Sequence, residues 1–282
     1  LVGSEMCIRD REINLDEEKL TGDISVLVIS DLKEALSEKA LANVKDFVDQ
    51  GGNMVILGEY ERSENMNSLG ALFGVHFSDG VLARPNKLGS PVVLCASYTD
   101  EAVEKHSAFN RMQAWGYGVS VPTAVALDYS QVKDFEVYPV LVTGDSAWIE
   151  HETKDMVDGE FVCNPAAGEK EGNYAVLINL SRKIGDKEQR IIISGDSDFI
   201  TNEEFGLTRP GMEVNNFEVI TGSFRWLSYD AYPIYTDRIE AIDNGIDLSG
   251  GWRVWIKLFF MILFPAFLVG TGVTIIYRRQ RK

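Results

Sequence analysis

Two aspartates separated by one residue form the most distinctive chemical pattern of this 282-residue chain. Asp196 and Asp198 lie in the segment RIIISGDSDFITNEEF, directly after an apolar run. Carboxylates at the end of a strand can hold a hard cation such as Mg²⁺. The same residues, or Ser197 between them, can instead bond the backbone of a turn and cap the segment ITNEEF. Two acids alone do not define a metal site, so the turn is the favoured interpretation.

Two enzyme patterns are incomplete in this sequence. Gly195-Asp196-Ser197 resembles the start of a GDSL-type esterase, whose serine needs a histidine from a later part of the chain. All the histidines precede this motif: His76, His106 and His151. Cys95 and His106 could form a nucleophile and its base, but the segment VLCAS lacks the small-residue elbow of such sites. We interpret Cys95 as a buried strand residue and the histidines as structural.

The sequence therefore predicts a protein without catalytic, metal-binding or cofactor-binding residues and without a cofactor. No phosphate-binding G-x-x-x-x-G-K-[ST] motif occurs, so nucleotide hydrolysis is not expected. The candidate contact surface for a ligand or partner is the loop that contains Asp196, Ser197, Asp198 and Asn202. Open α/β sheets present ligand surfaces at the carboxyl ends of their strands.

Composition excludes some classes of partner. The formal charge is −16, with 43 acidic against 27 basic residues, which disfavours nucleic acid. Cys7, Cys95 and Cys163 are far apart and form no zinc pattern. The sequence leaves undecided whether Cys95 and Cys163 form a disulfide.

Hydrophobic patterning predicts an α/β fold with a Rossmann-like or amidotransferase-like layered sheet. DISVLVIS (23–30) and MVILG (54–58) read as buried strands. Between them, Ser37 is placed to cap a helix that ends at Gly51, which gives a parallel crossover. A further helix is expected over 65–74.

The middle of the chain is richer in strands. We expect strands in the segments 90–97, 119–129 and 136–152, with a partly helical stretch between the first two. A hairpin that turns at Gly185 and Asp186 follows. The last predicted helix of this region has an apolar stripe formed by Phe217, Ile220, Phe224 and Leu227.

The C-terminal end predicts a transmembrane helix. Residues 258–277 contain no charge, and twenty helical residues span about 30 Å, the thickness of a bilayer core. Trp252, Trp255 and Tyr277 stand where an aromatic belt is expected, and Pro265 is a candidate kink.

The flanking charges predict the orientation of this span. Four cations follow it, Arg278, Arg279, Arg281 and Lys282, and two precede it, so the tail is expected in the cytoplasm. Residues 252–282 hold six cations and no acids, which leaves a formal charge of −22 on the preceding residues. Such an acidic domain is expected outside the cytoplasm of a bacterium, anchored in the inner membrane.

The predicted organisation has five parts. Residues 1–11, LVGSEMCIRDR, resemble a translated sequencing adapter and are set aside. An extracytoplasmic α/β domain follows over 12–240, as one lobe or as two that meet near residue 85. A spacer is expected over 241–251, the membrane helix with its flanks over 252–278, and a basic tail over 279–282.

Several segments together resemble the GldG-like auxiliary components of gliding-motility-type ABC transporters. These are the first strand-helix-strand region, YPVLVTGDSAWIE, NYAVLINLSRK, RIIISGDSDFITNEEF, NNFEVITGSFRWLS and the apolar span before RRQRK. They follow the family order across most of 23–282. The resemblance implies an auxiliary or substrate-binding subunit that works with a separate ATPase and a polytopic permease, and a small-molecule or glycan ligand. The alternative function is a membrane-tethered metal-dependent hydrolase that uses Asp196 and Asp198.

Overall fold

The computed structural model describes residues 11–85, 90–152, 161–209, 211–232 and 250–281. Two compact units divide the chain, with the boundary between Ile234 and Tyr235. The first is a mixed α/β unit, and the described part of the second is one long apolar helix. Residues 1–10 of the adapter-like segment, and most of the predicted spacer, lie outside the described residues.

Eleven strands occur in the described residues. In chain order they are β1 (Val26–Ser30), β2 (Asn53–Leu57), β3 (His76–Phe77), β4 (Val81–Ala83), β5 (Val93–Tyr98), β6 (Val119–Pro122), β7 (Leu127–Asp128), β8 (Glu136–Val142), β9 (Trp148–Glu150), β10 (Ala175–Ile184) and β11 (Lys187–Ser194). Seven of them form one sheet in the order β1-β2-β11-β10-β8-β5-β6. The pairs β1–β2 and β2–β11 are parallel, and the other neighbours are antiparallel. Two small antiparallel pairs, β3–β7 and β4–β9, stand beside it.

The predicted crossover and hairpin are both present. β1 and β2 pair in parallel. β10 and β11 pair through Ile184 and Lys187, which leaves Gly185 and Asp186 as a two-residue turn. Gly185 has a φ of 61°, a left-handed conformation that glycine adopts without a steric penalty.

Six α-helices in the described residues belong to this unit. They are α1 (Glu38–Asp49), α2 (Ser63–Gly70), α3 (Asp100–Lys105), α4 (Ser107–Ala114), α5 (Asn202–Gly206) and α6 (Asn216–Leu227). As predicted, Ser37 caps α1, because its Oγ accepts a hydrogen bond from Ala40 N at 3.0 Å. Gly51, just past the end of this helix, has a φ of 87°.

Buried side chains cover both faces of the sheet. On β11, Ile191 and Ile193 belong to one core cluster, whereas Ile192 belongs to another, as the alternation of side chains in a strand requires. Phe47 of α1 packs in the first cluster and Phe109 of α4 in the second. The sheet is therefore sandwiched between helices, which confirms the predicted layered α/β fold.

The expected apolar stripe of α6 is only partly the buried face of this helix. Leu227 is buried, but 61% of Phe217 and 42% of Phe224 are exposed. The buried face instead includes Val219 and Gly222. A Cβ at Gly222 would lie 2.5 Å from the Phe109 ring, so the close approach of α4 selects this face over the more hydrophobic one.

The second unit contains α7 (Gly250–Leu258), a π-helical turn (Phe259–Leu263) and α8 (Phe264–Gln280) in one continuous run. Its segment Val254–Gln280 is 27 residues long, and its length and apolar composition suffice to cross a membrane. The π-helical turn ends two residues before Pro265, which has no N–H to donate to the preceding turn. The predicted span 258–277 lies inside this helix.

Candidate functional site

Polar residues gather where three parallel strands end. Asp31 follows β1, Glu59 follows β2 after one glycine, and Asp196 follows β11 after another. Because these strands run in the same direction side by side, their carboxyl ends share one edge of the sheet. The GDSD motif is therefore brought next to a segment that lies far away in the sequence.

Gly195 fixes the path of the chain into this edge. Its N–H donates to Val176 O at 2.7 Å, and its carbonyl accepts from Val125 N at 2.8 Å. A Cβ at this position would lie 2.0 Å from Val125 O, so only glycine fits. The glycine of the motif thus has a packing role, and the next residue enters the protein interior.

Asp196 is completely buried and shapes the turn, as the favoured interpretation predicted. Its Oδ1 accepts a hydrogen bond from Asp198 N at 2.8 Å. Its Oδ2 is buried and has no hydrogen-bond partner among the described residues. The helix cap expected from the aspartates is supplied by another side chain, because Thr201 Oγ1 accepts from Glu204 N at 3.2 Å.

Glu59 is the central residue that the sequence analysis missed. Its Oε2 accepts a hydrogen bond from Ser197 Oγ at 2.8 Å. Its Oε1 accepts from Thr123 Oγ1 at 3.1 Å and from Tyr60 N at 3.0 Å. The available signal was its place after the predicted strand MVILG, since a parallel crossover puts the ends of both strands at one edge.

Glu59, Asp196 and Asp198 form a cluster of three carboxylates. One carboxylate oxygen from each lies within 4.8 Å of the other two. Burial raises the pKa of Asp196 well above its ordinary value, and the nearby charges of Glu59 and Asp198 add to this effect. Burial also raises the pKa of Glu59 and, together with Glu204, that of Asp198. The cluster is a carboxylate set of the kind that hard divalent cations bind.

The remaining predicted site residues lie close by with different roles. Ser197 connects the loop after β11 to the loop after β2 through Glu59. Asn202 is exposed at the first position of α5 and makes no hydrogen bond to the carboxylate cluster in the described part of the chain. Backbone strain marks the same edge, because Thr123, a β-branched residue bonded to Glu59, has a φ of 54°.

A polar cavity of about 620 Å³ lies elsewhere in the α/β unit. Trp226 lines it, and the charged groups at its edge form the ion pairs Lys105–Glu136, Arg190–Glu188 and Arg225–Asp230.

His106 Nε2 lies 2.7 Å from Tyr138 Oη. Burial, aided by the charge of Arg190, lowers the pKa of His106 to about 4, so the ring is neutral at pH 7.

Burial dominates the environment of the suggested nucleophile and outweighs the opposing charge of Arg84. Cys95 lies on β5, and burial raises the pKa of its thiol, which favours the unreactive protonated form. His106 pairs with Tyr138. Cys95 and Cys163 are free thiols in this structure, so the disulfide left open by the sequence is not formed.

Comparisons with known proteins bear on the fold. No protein-family model and no curated protein matches the sequence. A solved structure described as an IFT52 N-terminal domain is similar over 73% of this chain and 78% of its own, at 16% identity and a TM-score of 0.52. A ThuA-like protein from Bacteroides uniformis ATCC 8492 matches over 71% of this chain and 68% of its own, at 14% identity and a TM-score of 0.35. At these identities, the IFT52 match supports the α/β fold and nothing further.

Proposed function

We propose that this chain is a membrane-anchored, non-enzymatic subunit of an ABC transport system that binds a substrate or docks onto its permease. The observation that carries the anchor is the apolar helix Val254–Gln280, which is long enough to cross a bilayer. A separate ATPase supplies nucleotide hydrolysis, since the sequence has no phosphate-binding loop of its own. The transport role is supported by the sequence resemblance to GldG-like components.

The charge distribution supports one orientation. The excess of cations after the span favours a cytoplasmic tail, and the strongly acidic preceding region favours the periplasmic side of a bacterial inner membrane. The α/β unit then presents its surfaces away from the ATPase.

Two surfaces of the α/β unit suit a small-molecule or glycan ligand. The first is the edge at Glu59 and the loop Asp196–Asn202, where parallel strands end. The second is the polar cavity beside Trp226, whose indole offers a flat apolar wall next to charged groups. Either surface could equally seat a loop of the permease.

The carboxylate cluster is the specific observation that favours a second candidate, a membrane-tethered metal-dependent hydrolase. A metal held by Asp196 and Asp198 could activate water for attack on an ester or phosphoester. Among the described residues, however, no histidine joins this cluster. We therefore place binding ahead of hydrolysis.

Cysteine labelling tests the anchor and its orientation. In a chain whose native cysteines are replaced by alanine, Ser130→Cys reports on the α/β unit and Gln280→Cys on the tail. We expect a membrane-impermeant maleimide to label Ser130→Cys in intact spheroplasts and Gln280→Cys only after lysis. The opposite labelling pattern, or a chain that alkaline carbonate extracts from membranes, contradicts the proposal.

Co-purification and turnover assays separate the two functions. From detergent-solubilised membranes of the source organism, we expect an ATP-binding cassette subunit and a polytopic permease to co-purify with the full chain. A chain with its span exchanged for an unrelated one controls for non-specific association. Failure to recover both subunits contradicts the transport role. Metal-dependent ester or phosphoester turnover that Asp196→Asn and Asp198→Asn each abolish would establish the hydrolase.

A further inference from the structure

Three carboxylates converge at the edge where β2 and β11 end. Glu59, Asp196 and Asp198 each place one oxygen within 4.8 Å of an oxygen of the other two. Mutual repulsion makes such a group unfavourable unless a cation or a proton compensates the charge. The spacing suits a cation placed between the oxygens, because metal–oxygen bonds to Mg²⁺ or Ca²⁺ are about 2.0–2.6 Å long.

A second observation at the same place points to a missing partner. Asp196 is 0% exposed, and its Oδ2 has no hydrogen-bond partner among the described residues. Buried polar atoms are nearly always satisfied, so an orphaned carboxylate oxygen needs an explanation such as a bound ion. The turn explains only the other oxygen, which accepts from Asp198 N.

The nearby arginines in the described part of the chain are engaged elsewhere. The guanidinium of Arg209 forms its hydrogen bonds with the buried Glu204, although it is near enough to interact electrostatically with Asp196. Arg62 pairs with Asp31, with 3.5 Å between Nε and Oδ1. Among the described residues, neither arginine forms a hydrogen bond or ion pair with the three clustered carboxylates.

The cluster is also held in place before any ion arrives. The Glu59 carboxylate is fixed by three hydrogen bonds, which it accepts from Ser197 Oγ, Thr123 Oγ1 and Tyr60 N. Asp198 is held to Asp196 through its backbone N–H, while its side chain is exposed. The site thus combines a buried, an intermediate and an exposed carboxylate, and water beside the exposed Asp198 can complete the coordination of the ion.

We propose that Glu59, Asp196 and Asp198 bind one hard divalent cation, Mg²⁺ or Ca²⁺, at the carboxyl edge of the parallel strands. The cation neutralises the orphaned oxygen and holds the loops after β2 and β11 together. Because all three protein ligands are carboxylate oxygens, the site should not prefer soft metals. The cation site does not depend on a transport role, because all three carboxylates belong to the α/β unit itself.

The test uses the full chain in detergent, stripped of metal with EDTA and dialysed. Mg²⁺ or Ca²⁺ alone is titrated by calorimetry, and thermal unfolding is recorded with and without the ion. We expect one saturable site per chain and an increase of Tm at saturation, because an ion that binds only the native state stabilises it. Asp198→Asn is the main variant, since its side chain is exposed and makes no hydrogen bond in the described structure. Its affinity is expected to fall about tenfold or more.

Two further variants make the outcome decisive. Asp196→Asn removes the buried charge, so the ion-free variant should have a higher Tm than the ion-free wild type. Addition of the ion should not raise the Tm of this variant further. Glu203→Gln removes an exposed carboxylate of α5 outside the cluster and should leave binding unchanged. The proposal is wrong if the wild type shows no saturable binding, if Asp198→Asn binds as tightly as the wild type, or if Glu203→Gln weakens binding equally. The binding assay contains no ATPase or permease, so a negative result would contradict the cation site without contradicting the proposed transport role.

Discussion

Asn216, the first residue of α6, bonds both ends of its side-chain amide to the backbone of Ser120 on β6. Its Oδ1 accepts from Ser120 N at 2.9 Å, and its Nδ2 donates to Ser120 O at 2.8 Å. The same Nδ2 donates to Phe199 O at 2.9 Å, in the 3₁₀ turn that follows the GDSD motif. One buried amide therefore holds a helix, an edge strand and the candidate loop together.

Asn216→Ala is expected to lower the free energy of unfolding by about 2–4 kcal/mol, because it leaves the Ser120 N–H and two carbonyls without these partners in a buried place. Asn216→Asp should also destabilise at neutral pH, since a carboxylate cannot donate to either carbonyl. Chemical denaturation of the full chain in detergent measures both changes.

The matched control for this prediction is Asn110→Ala, at an exposed asparagine of α4. Its effect should stay within about 0.5 kcal/mol. An Asn216→Ala protein as stable as this control would show that the amide does not tie these elements together.

Removal of the Arg209 guanidinium should leave a buried carboxylate without its charged partner. The side chain of Glu204 is 5% exposed, and both of its oxygens accept hydrogen bonds from the Arg209 guanidinium. We expect Arg209→Gln to cost about 2–4 kcal/mol of unfolding free energy, and Glu204→Gln/Arg209→Gln to recover most of it. A double-mutant cycle by chemical denaturation gives the coupling energy.

Arg225→Gln controls for the loss of a surface ion pair. Its partner Asp230 is 72% exposed, so the expected cost is below about 1 kcal/mol. Equal losses for Arg209→Gln and Arg225→Gln would mean that burial of Glu204 adds nothing to the strength of its pair.

Stability should depend on His106 in mildly acidic solution. Burial, with the charge of Arg190, lowers the pKa of His106 to about 4, whereas in the unfolded chain it is about 6.5. The unfolded state thus binds the proton more readily, so this contribution is complete above pH 6.5 and is lost as the pH falls toward 4. Between pH 6.5 and 4, the unfolding free energy of the wild type should fall by about 1–2 kcal/mol more than that of His106→Gln. The difference is no larger because solvent screens a half-buried ring. Chemical denaturation at several pH values measures it.

His76→Gln serves as the comparison, because His76 is exposed on β3. It should retain the steep wild-type pH dependence. If His106→Gln and the wild type lose stability in parallel from pH 6.5 to 4, then other groups account for the acid sensitivity.

Local patterns in the sequence determined much of the fold. Alternation and apolar runs predicted β1, β2 and the β10–β11 hairpin, and the chemistry of Ser37, Gly51 and Gly185 predicted a cap, a helix stop and a turn. These features depend on neighbours within a few residues. The uncharged stretch 258–277 likewise defined the long apolar helix through its composition alone.

The tertiary structure decided which distant groups meet. β11 inserts beside β2, and this parallel pairing brings Glu59 to Ser197, 138 residues later in the chain. No local pattern specifies such a register, because strand order depends on how whole faces are buried. The same packing buried Asp196 and exposed Phe217, against the hydrophobic pattern of α6. The sequence thus located the GDSD loop by itself, whereas long-range strand pairing gave that loop its third carboxylate, because β2 and β11 end side by side at the same edge of the sheet.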